Sequence, residues 1–389
     1  MSLDRVACVD AFRVAVERCD PERLTARAKD DVVGPLAGRT PYGLALGKAA
    51  LKMARGAGPV ARGVIVTNAD DGQGVPDGWH VMIASHPEPD ARSVAAGEAV
   101  IDLIAGAGKA DLVLALISGG ASSLVEWPAP GITLDELRAR VRACMATGAD
   151  IHAINALRRE LSAIKGGKLA RMCEAPVATM AISDVYDDDL AVIGSGPTIA
   201  NRPADRAAVI APMRLFARAF AAELPLVHEI DDPLRGNVEQ AASAITLAWN
   251  RPGEEQVSHG GGFLARVRTP RHGYRLLWGE PTVEVPAEHG EGGRAQQLAL
   301  VLARELRGDE PVNAFVIGSD GIDGPAPRGR PAPAGAFVGN DTWDTIAAAG
   351  IDPADAIARC DAGPALDSVN GLVVTGSTGI NHGDIVLVG

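Results

Sequence analysis

The chain has 389 residues, 47% of them hydrophobic, with 37 basic and 49 acidic side chains and a formal net charge of −12. That length buries a large core and favours two domains over one. The acidic balance, with an isoelectric point near 5.2, excludes an electrostatic nucleic-acid footprint or a basic membrane patch and leaves small-molecule chemistry as the leading class.

The opening residues, "MSLDRVACVDAFRVAVERCD", carry charges throughout without an apolar signal core. No apolar run approaches the roughly 18 residues of a membrane-spanning helix, so a cytoplasmic protein with no membrane partner is expected. The five cysteines, 8, 19, 144, 173 and 360, are odd in number and lack CxxC spacing, which suggests neither a disulfide framework nor a zinc site. Cys8 and Cys19 are expected in the core.

Residues 5 to 29 predict one amphipathic helix. Short apolar runs then alternate with Ala-rich helical stretches: "RGVIVTN", "WHVMIAS", "DLVLALIS" and "PVATMAIS". Such alternation marks a mostly parallel sheet with crossover helices. Between the runs, "VAAGEAVIDLIAGAG" and "LDELRARVRACMATG" read as helices ended by Gly, and "DIHAINALRRELSAIKGGKLARM" as a longer helix interrupted at Gly166-Gly167. From about Pro225 to His272 the pattern weakens to one helical candidate, "VEQAASAITLAWN", and this stretch is the expected domain boundary. Periodicity resumes with the strand "YRLLWGEPTVEV", the helix "RAQQLALVLAREL", the strand "NAFVIGS", a Pro/Gly-rich loop at 321 to 335, and closing strands "GLVVTGS" and "DIVLVG". A second α/β domain fits.

Many of the strands end in a loop of Gly with a hydroxyl, Asp or Lys: "LGKAA", "SHPEPD", "SGGASS", "SDVYDDD", "GSDGIDGP" and "TGSTGINHGD". In α/β sheets ligands bind at the carboxyl ends of strands, where loop amides and helix N-termini converge, so repeated small polar loops point to an anionic ligand. Any one of them is equally well a turn, since Gly supplies positive φ and Ser or Asp caps helices. The loop Ser118-Gly119-Gly120-Ala121-Ser122-Ser123 follows one of these strands and precedes an apolar stretch that could start a helix.

Two nucleotide signatures fail. The nearest approach to GxGxxG, Gly56-x-Gly58-x-x-Ala61, follows a helical stretch and precedes a strand, the reverse of a dinucleotide fold. "GLALGKAA" imitates a P-loop, but Gly43 and Gly47 stand one residue too close and Ala49 replaces the Ser or Thr that would hold magnesium. Lys48 nevertheless lies where a strand end meets a helix N-terminus, from which an ammonium reaches a phosphate; alone it reads as a solvated lysine. Arg294 follows Gly292-Gly293 at a helix entry, where guanidinium and amides would grip a phosphate or carboxylate, or simply form an exposed first turn. Acids cluster as Asp184 with Asp187-Asp188-Asp189 and as Asp320 with Asp323. Acids so placed hold Mg2+ or accept a proton from an alcohol, although Asp after a strand is also a common turn former. His86 is either a ligand contact or a turn histidine, and His152 and Asn155 either pack or serve the site.

In their order these blocks resemble the glycerate 2-kinases of the MOFRL type, formerly called hydroxypyruvate reductases. "GKAA", "SHPEPD", "LISGGASSLVEWPAPGITL", "GADIHAINALRRELSAIKGGKLAR", "ISDVYDDDLAVIGSGPT", "GEPTV", "GGRAQQLAL", "GSDGIDGP" and "VVTGSTGIN" look like the family's signature blocks, spread over residues 47 to 384. The resemblance implies two α/β domains facing an interdomain cleft: 1–225, with a Rossmann-like, three-layer, mostly parallel sheet, and 226–389, MOFRL-like. It also implies phosphoryl transfer from ATP with Mg2+ to the 2-hydroxyl of D-glycerate. Carried onto this chain, the family's principal catalytic charges fall on Lys48 and Arg294. Gly47, Ser118, Gly119, Gly120, Ser122, Ser123, Gly292, Gly293, Asp320, Thr378 and Asn381 become phosphate or substrate contacts. Asp184 is the acid expected to orient or deprotonate the substrate hydroxyl, and Asp184, Asp188 and Asp189 are the expected metal ligands. Which loop takes ATP and which the hydroxy acid stays open, as does homo-oligomerisation.

The chain departs from the family inside the signatures. "GGRNQE" becomes "GGRAQQ", "RKH" becomes Arg158-Arg159-Glu160, "SDVPGDDP" becomes "SDVYDDDL", and "TGPTGTNVND" becomes "TGSTGINHGD". Ala295 and Ile380 stand where the family presents Asn and Thr; were they to face the site, it would lose polar partners and favour a hydroxy acid more apolar than D-glycerate. The alternatives are a non-catalytic acid-binding relative and, with less support, an NAD-dependent hydroxypyruvate reductase.

Overall fold

The computed structural model describes the chain outside residues 1–2, 148–150, 226, 230–232, 251–256, 260–262, 266–272, 309–310 and 326–329. Much of the weakly patterned stretch to His272, part of the loop expected at 321 to 335, and the side chain of His152 thus lie outside the described residues.

Six strands, β1 Thr40–Leu46, β2 Arg62–Thr67, β3 Trp79–Ile83, β4 Asp111–Ile117, β5 Val177–Ile182 and β6 Arg206–Ala211, form one sheet in the order β3-β2-β1-β4-β5-β6. Every adjacent pair is parallel. Strand β5 is buried throughout and β4 nearly so, which is why both read as unbroken apolar runs. Strand β6 opens on exposed residues and carries no such signal. Gly43 and Gly63 make room for the Trp79 ring, which a Cβ at either would hit; the indole donates to Gly58 O at 2.9 Å. The order reverses between β1 and β4, so the ends of these two strands form the crevice where α/β sheets bind ligands.

The helix expected over 5 to 29 is two, Arg5–Arg18 and Pro21–Val33. Asp20 caps the second through Arg23 N, and Pro21 sits in its first turn, where proline starts a helix but cannot continue one. The longer helix expected near Gly166 stops earlier, at Leu161, and Lys168–Arg171 is a separate turn. Gly166 and Gly167 lie between them at φ 65° and 75°.

The later strands are β7 Val227–Glu229, β8 Val257–His259, β9 Phe263–Ala265, β10 Tyr274–Gly279, β11 Asn313–Gly318, β12 Gly335–Gly339, β13 Leu372–Val373 and β14 Asp384–Val388. Strands β8 and β9 pair alone, and the rest form a second sheet, β13-β12-β11-β14-β10-β7. It is antiparallel apart from the β10–β7 pair. The helix Arg294–Glu305, buried from Ala295 to Ala303, packs on β11 and β12.

Asp20–Pro212 with Gly379–Asn381 form one compact unit, and Met1–Cys19, Met213–Thr378 and His382–Gly389 the other. These units are not the consecutive halves 1–225 and 226–389. The helices Arg5–Arg18 and Arg214–Ala221 go with the second sheet, joined by Phe12 edge-on to Phe216 at 5.5 Å and Phe220 stacked over Phe315 at 6.0 Å. All five cysteines are free, and burial pushes the thiols of Cys8 and Cys19 up to about 12. Among the described residues no helix is long and apolar enough to cross a membrane.

Candidate active site

In the first unit the residues after β1 and β4 are stitched together. Lys48 N donates to Gly119 O at 2.9 Å and Ser118 N to Leu46 O at 2.9 Å, while Ala49 N donates to Ser118 Oγ at 3.1 Å. Gly47 stands at φ 125°, and a Cβ there would collide with Ser118. A Cβ on Gly119 would collide with the Asp184 carboxylate and the Asn381 amide; on Gly120, at φ 86°, it would press on the His86 ring at 3.0 Å and Lys48 Cγ at 3.3 Å. These glycines are therefore required by close approach as well as by turn geometry. Asn381 Nδ2 donates to Asp184 Oδ2 at 3.4 Å, Ser123 Oγ to Gly120 O at 3.2 Å, and Arg158 Nη1 to Ser122 Oγ at 3.2 Å.

The structure thus brings Gly47, Lys48, Ser118, Gly119, Gly120, Ser122, Ser123, Asp184 and Asn381 to one loop cluster, with His86 among them. Behind it Lys165 and Glu126, each 1% exposed, form an ion pair. Burial pulls the Lys165 ammonium below its usual range while Glu126 opposes the shift. Gly166 N and Gly167 N donate to Ser195 O and Gly196 O at 2.9 and 2.7 Å, and Ser195 Oγ donates to Asn155 Oδ1 at 2.6 Å. Asn155 therefore packs inside the scaffold.

Asp188 and Asp189 do not join Asp184 as a metal cage, because among the described residues no three acidic, His or Cys side chains gather for a metal ion. Asp189 Oδ1 accepts Ala191 N at 2.8 Å and Asp187 Oδ1 accepts Asp189 N at 3.3 Å, the turn-forming use of Asp after a strand.

In the second unit Arg294 opens its helix behind Gly293. Its Nε and Nη2 donate to Asp384 Oδ2 and Oδ1 at 2.7 and 3.0 Å, and Nη1 donates to Glu280 Oε1 at 2.8 Å. The amides of Ala295 and Gln296, in the first turn of that helix, donate to Asp323 at 2.9 and 2.7 Å. Gly293 is a glycine because a Cβ would strike Asp323, and Gly292 because its φ is 150°. Burial pushes the Asp384 carboxyl up to about 6 against the pull of Arg294, raises Asp323, and is outweighed at Arg294, which the carboxylates hold well above the ordinary range. Asp320 Oδ1 accepts Ile322 N at 3.2 Å and Asp320 O accepts Thr378 N at 3.1 Å, while Thr378 Oγ1 donates to Ser319 O at 2.6 Å.

Ala295 and Ile380 stand where the resemblance implies Asn and Thr. Both are buried, at 0% and 1% exposure, and Ala295 belongs to the core of the second unit. The sequence marks Arg158 only as part of an altered block and does not single out Asp384. For Asp384 a signal existed: a lone charge opening the otherwise apolar strand "DIVLV" must find a partner.

A family model described as a domain of unknown function, DUF4147, matches residues 7–222, and the MOFRL family model matches 274–384. The D-glycerate 2-kinase of Thermotoga maritima is 32% identical over 376 residues, covering 88% of this chain and 89% of that protein. The glycerate 2-kinase of Pyrococcus horikoshii is 30% identical over 391 residues, with 89% and 86% covered. A solved glycerate kinase from Thermotoga maritima superposes with a TM-score of 0.76 at 28% identity, over 98% of both chains. The chain belongs to the glycerate 2-kinase family of phosphotransferases with an alcohol acceptor, built from a DUF4147 domain and a MOFRL domain.

Proposed function

We propose that the chain transfers the γ-phosphoryl of ATP, with Mg2+, to the 2-hydroxyl of D-glycerate or a closely related hydroxy acid. The observation that carries this reading is Lys48 fixed through its backbone to Gly119, at the strand switch, in a cluster that includes Asp184. Phosphoryl transfer asks the protein to position reactants and neutralise spreading negative charge. Lys48 and the Gly119 and Gly120 amides supply positive potential in the first unit, whereas the charge of Arg294 in the second is already met by Asp384 and Glu280. Asp184, steadied by Asn381, orients the substrate hydroxyl and takes its proton. The oxygens of Asp184 and Asn381 suit a cation held mainly by phosphate and water rather than by a protein cage. Bound with ATP, Mg2+ would supply further charge neutralisation for the transferred group. With its free cysteines, the chain suits a reducing cytoplasm.

A reductase reading has little support, since the loop after β1 carries Gly47-Lys48-Ala49 rather than a glycine fingerprint. One assay separates the readings. Purified protein is given ATP, Mg2+ and a panel of short hydroxy acids with ADP release followed, and in parallel hydroxypyruvate with NADH. ADP release that depends on D-glycerate supports the kinase; NADH oxidation without ADP release overturns it.

A further inference from the structure

Arg158 lies half-buried on the helix Ile151–Leu161, and among the described residues its hydrogen bond is the single one to Ser122 Oγ. No carboxylate there forms an ion pair with it. The nearby acid, Glu126, is taken by Lys165. A guanidinium presents five donors in a planar fork that matches a carboxylate in bidentate fashion, so most of the donors of Arg158 are unspent. Holding a charge partly out of water with its nearest acid already paired elsewhere is costly, and burial lowers the pKa of this arginine from its ordinary value against the opposing pull of Glu126. The cost is recovered when an anion arrives. Ser122 lies in the helical turn Ala121–Leu124 that follows Gly119 and Gly120, the second of which faces Lys48 and His86.

We propose that Arg158 binds the carboxylate of the hydroxy-acid substrate, beside Ser122 and two residues beyond the Gly120 that faces Lys48. This rests on the kinase reading above and adds to it a selectivity for the charged acid over its neutral analogues. The ammonium of Lys48 then attends the phosphate, and the distance along the loop sets which substrate oxygen meets Asp184.

The test compares the wild-type protein with Arg158→Lys and Arg158→Gln, at matched melting temperature, for D-glycerate, D-glyceramide and ATP. The expected result is a rise in KM for D-glycerate on the order of 100-fold in Arg158→Gln, partial rescue in Arg158→Lys, and no change in KM for ATP. The wild-type preference for D-glycerate over D-glyceramide should collapse in Arg158→Gln, which a merely structural role would not produce. A rise confined to the KM for ATP, or an unchanged preference between acid and amide, overturns the proposal. Should the wild type show no ADP release, the kinase reading fails separately, and calorimetric titration with D-glycerate alone still decides. Binding by wild type that Arg158→Gln loses supports the assignment; equal binding, or no binding by wild type, overturns it.

Discussion

Arg158 and Arg294 are both guanidiniums partly withdrawn from water beside a glycine loop, yet their charges are spent differently. Arg294 donates three hydrogen bonds to Asp384 and Glu280, and its pKa rises. Arg158 donates one, to a neutral hydroxyl, and its pKa falls. The motif that singles out Arg294 says nothing of the carboxylates that neutralise it, with Asp323 a third acid nearby. At Arg158 the nearest acid, Glu126, is shared with Lys165, so less of its charge is met from within the fold. A cation's value to a ligand is set by what the fold has already paired with it.

The comparison breaks most sharply at the lysines. Lys48→Ala should lower kcat/KM by about 100- to 1,000-fold, the size of losing one charge aimed at a transition state, while the melting temperature stays near wild type. Lys165→Met should do the reverse. It strands Glu126 as a buried unpaired carboxylate and should cost about 3–5 kcal/mol of stability, measured by urea unfolding; adding Glu126→Gln should restore much of it. Unchanged turnover in Lys48→Ala would remove that residue from the mechanism.

The Arg294 cluster is sharpened by pH. The Asp384 carboxyl is raised from 3.8 to about 6 in the folded chain, so the folded state keeps a proton that the unfolded chain has already released. Its contribution to stability is full below about pH 4 and is lost as pH rises through 6, roughly 3 kcal/mol for a shift near two units. Asp384→Asn removes this slope. Urea unfolding of both proteins at pH 4, 5, 6 and 7 should show the wild type losing stability relative to the variant as pH rises, and a flat difference would mean that Arg294 fully compensates the carboxylate.

Much of the first sheet was legible in the sequence because strands buried on both faces must be apolar at every position, as β4 and β5 are. The loop residues were legible as well, since glycines at close approaches leave a mark that survives in sequence. The regrouping of the helices Arg5–Arg18 and Arg214–Ala221 with the second sheet was not, because it depends on Phe12, Phe216 and Phe220 meeting across some 200 residues. Arg158 was passed over for a related reason. Its motif shows an arginine on a helix, but that its neighbour acid belongs to Lys165 is a fact of packing alone.

The smallest expected effect concerns a position that sequence comparison made prominent. Ala295 replaces an Asn in the family block next to Arg294, as though an amide that once met the ligand were missing. In the fold its side chain is fully buried among the apolar residues of the second unit, and its backbone N–H is held by Asp323. Restoring Asn there adds volume and an amide to a packed interior, at a cost of about 1–3 kcal/mol. Ala295→Asn should therefore lower the urea midpoint while leaving the KM for D-glycerate within about twofold of wild type. A variant that instead bound D-glycerate tenfold more tightly without losing stability would show that position 295 reaches the ligand, and that the charges around Arg294 are less closed upon themselves than their hydrogen bonds indicate.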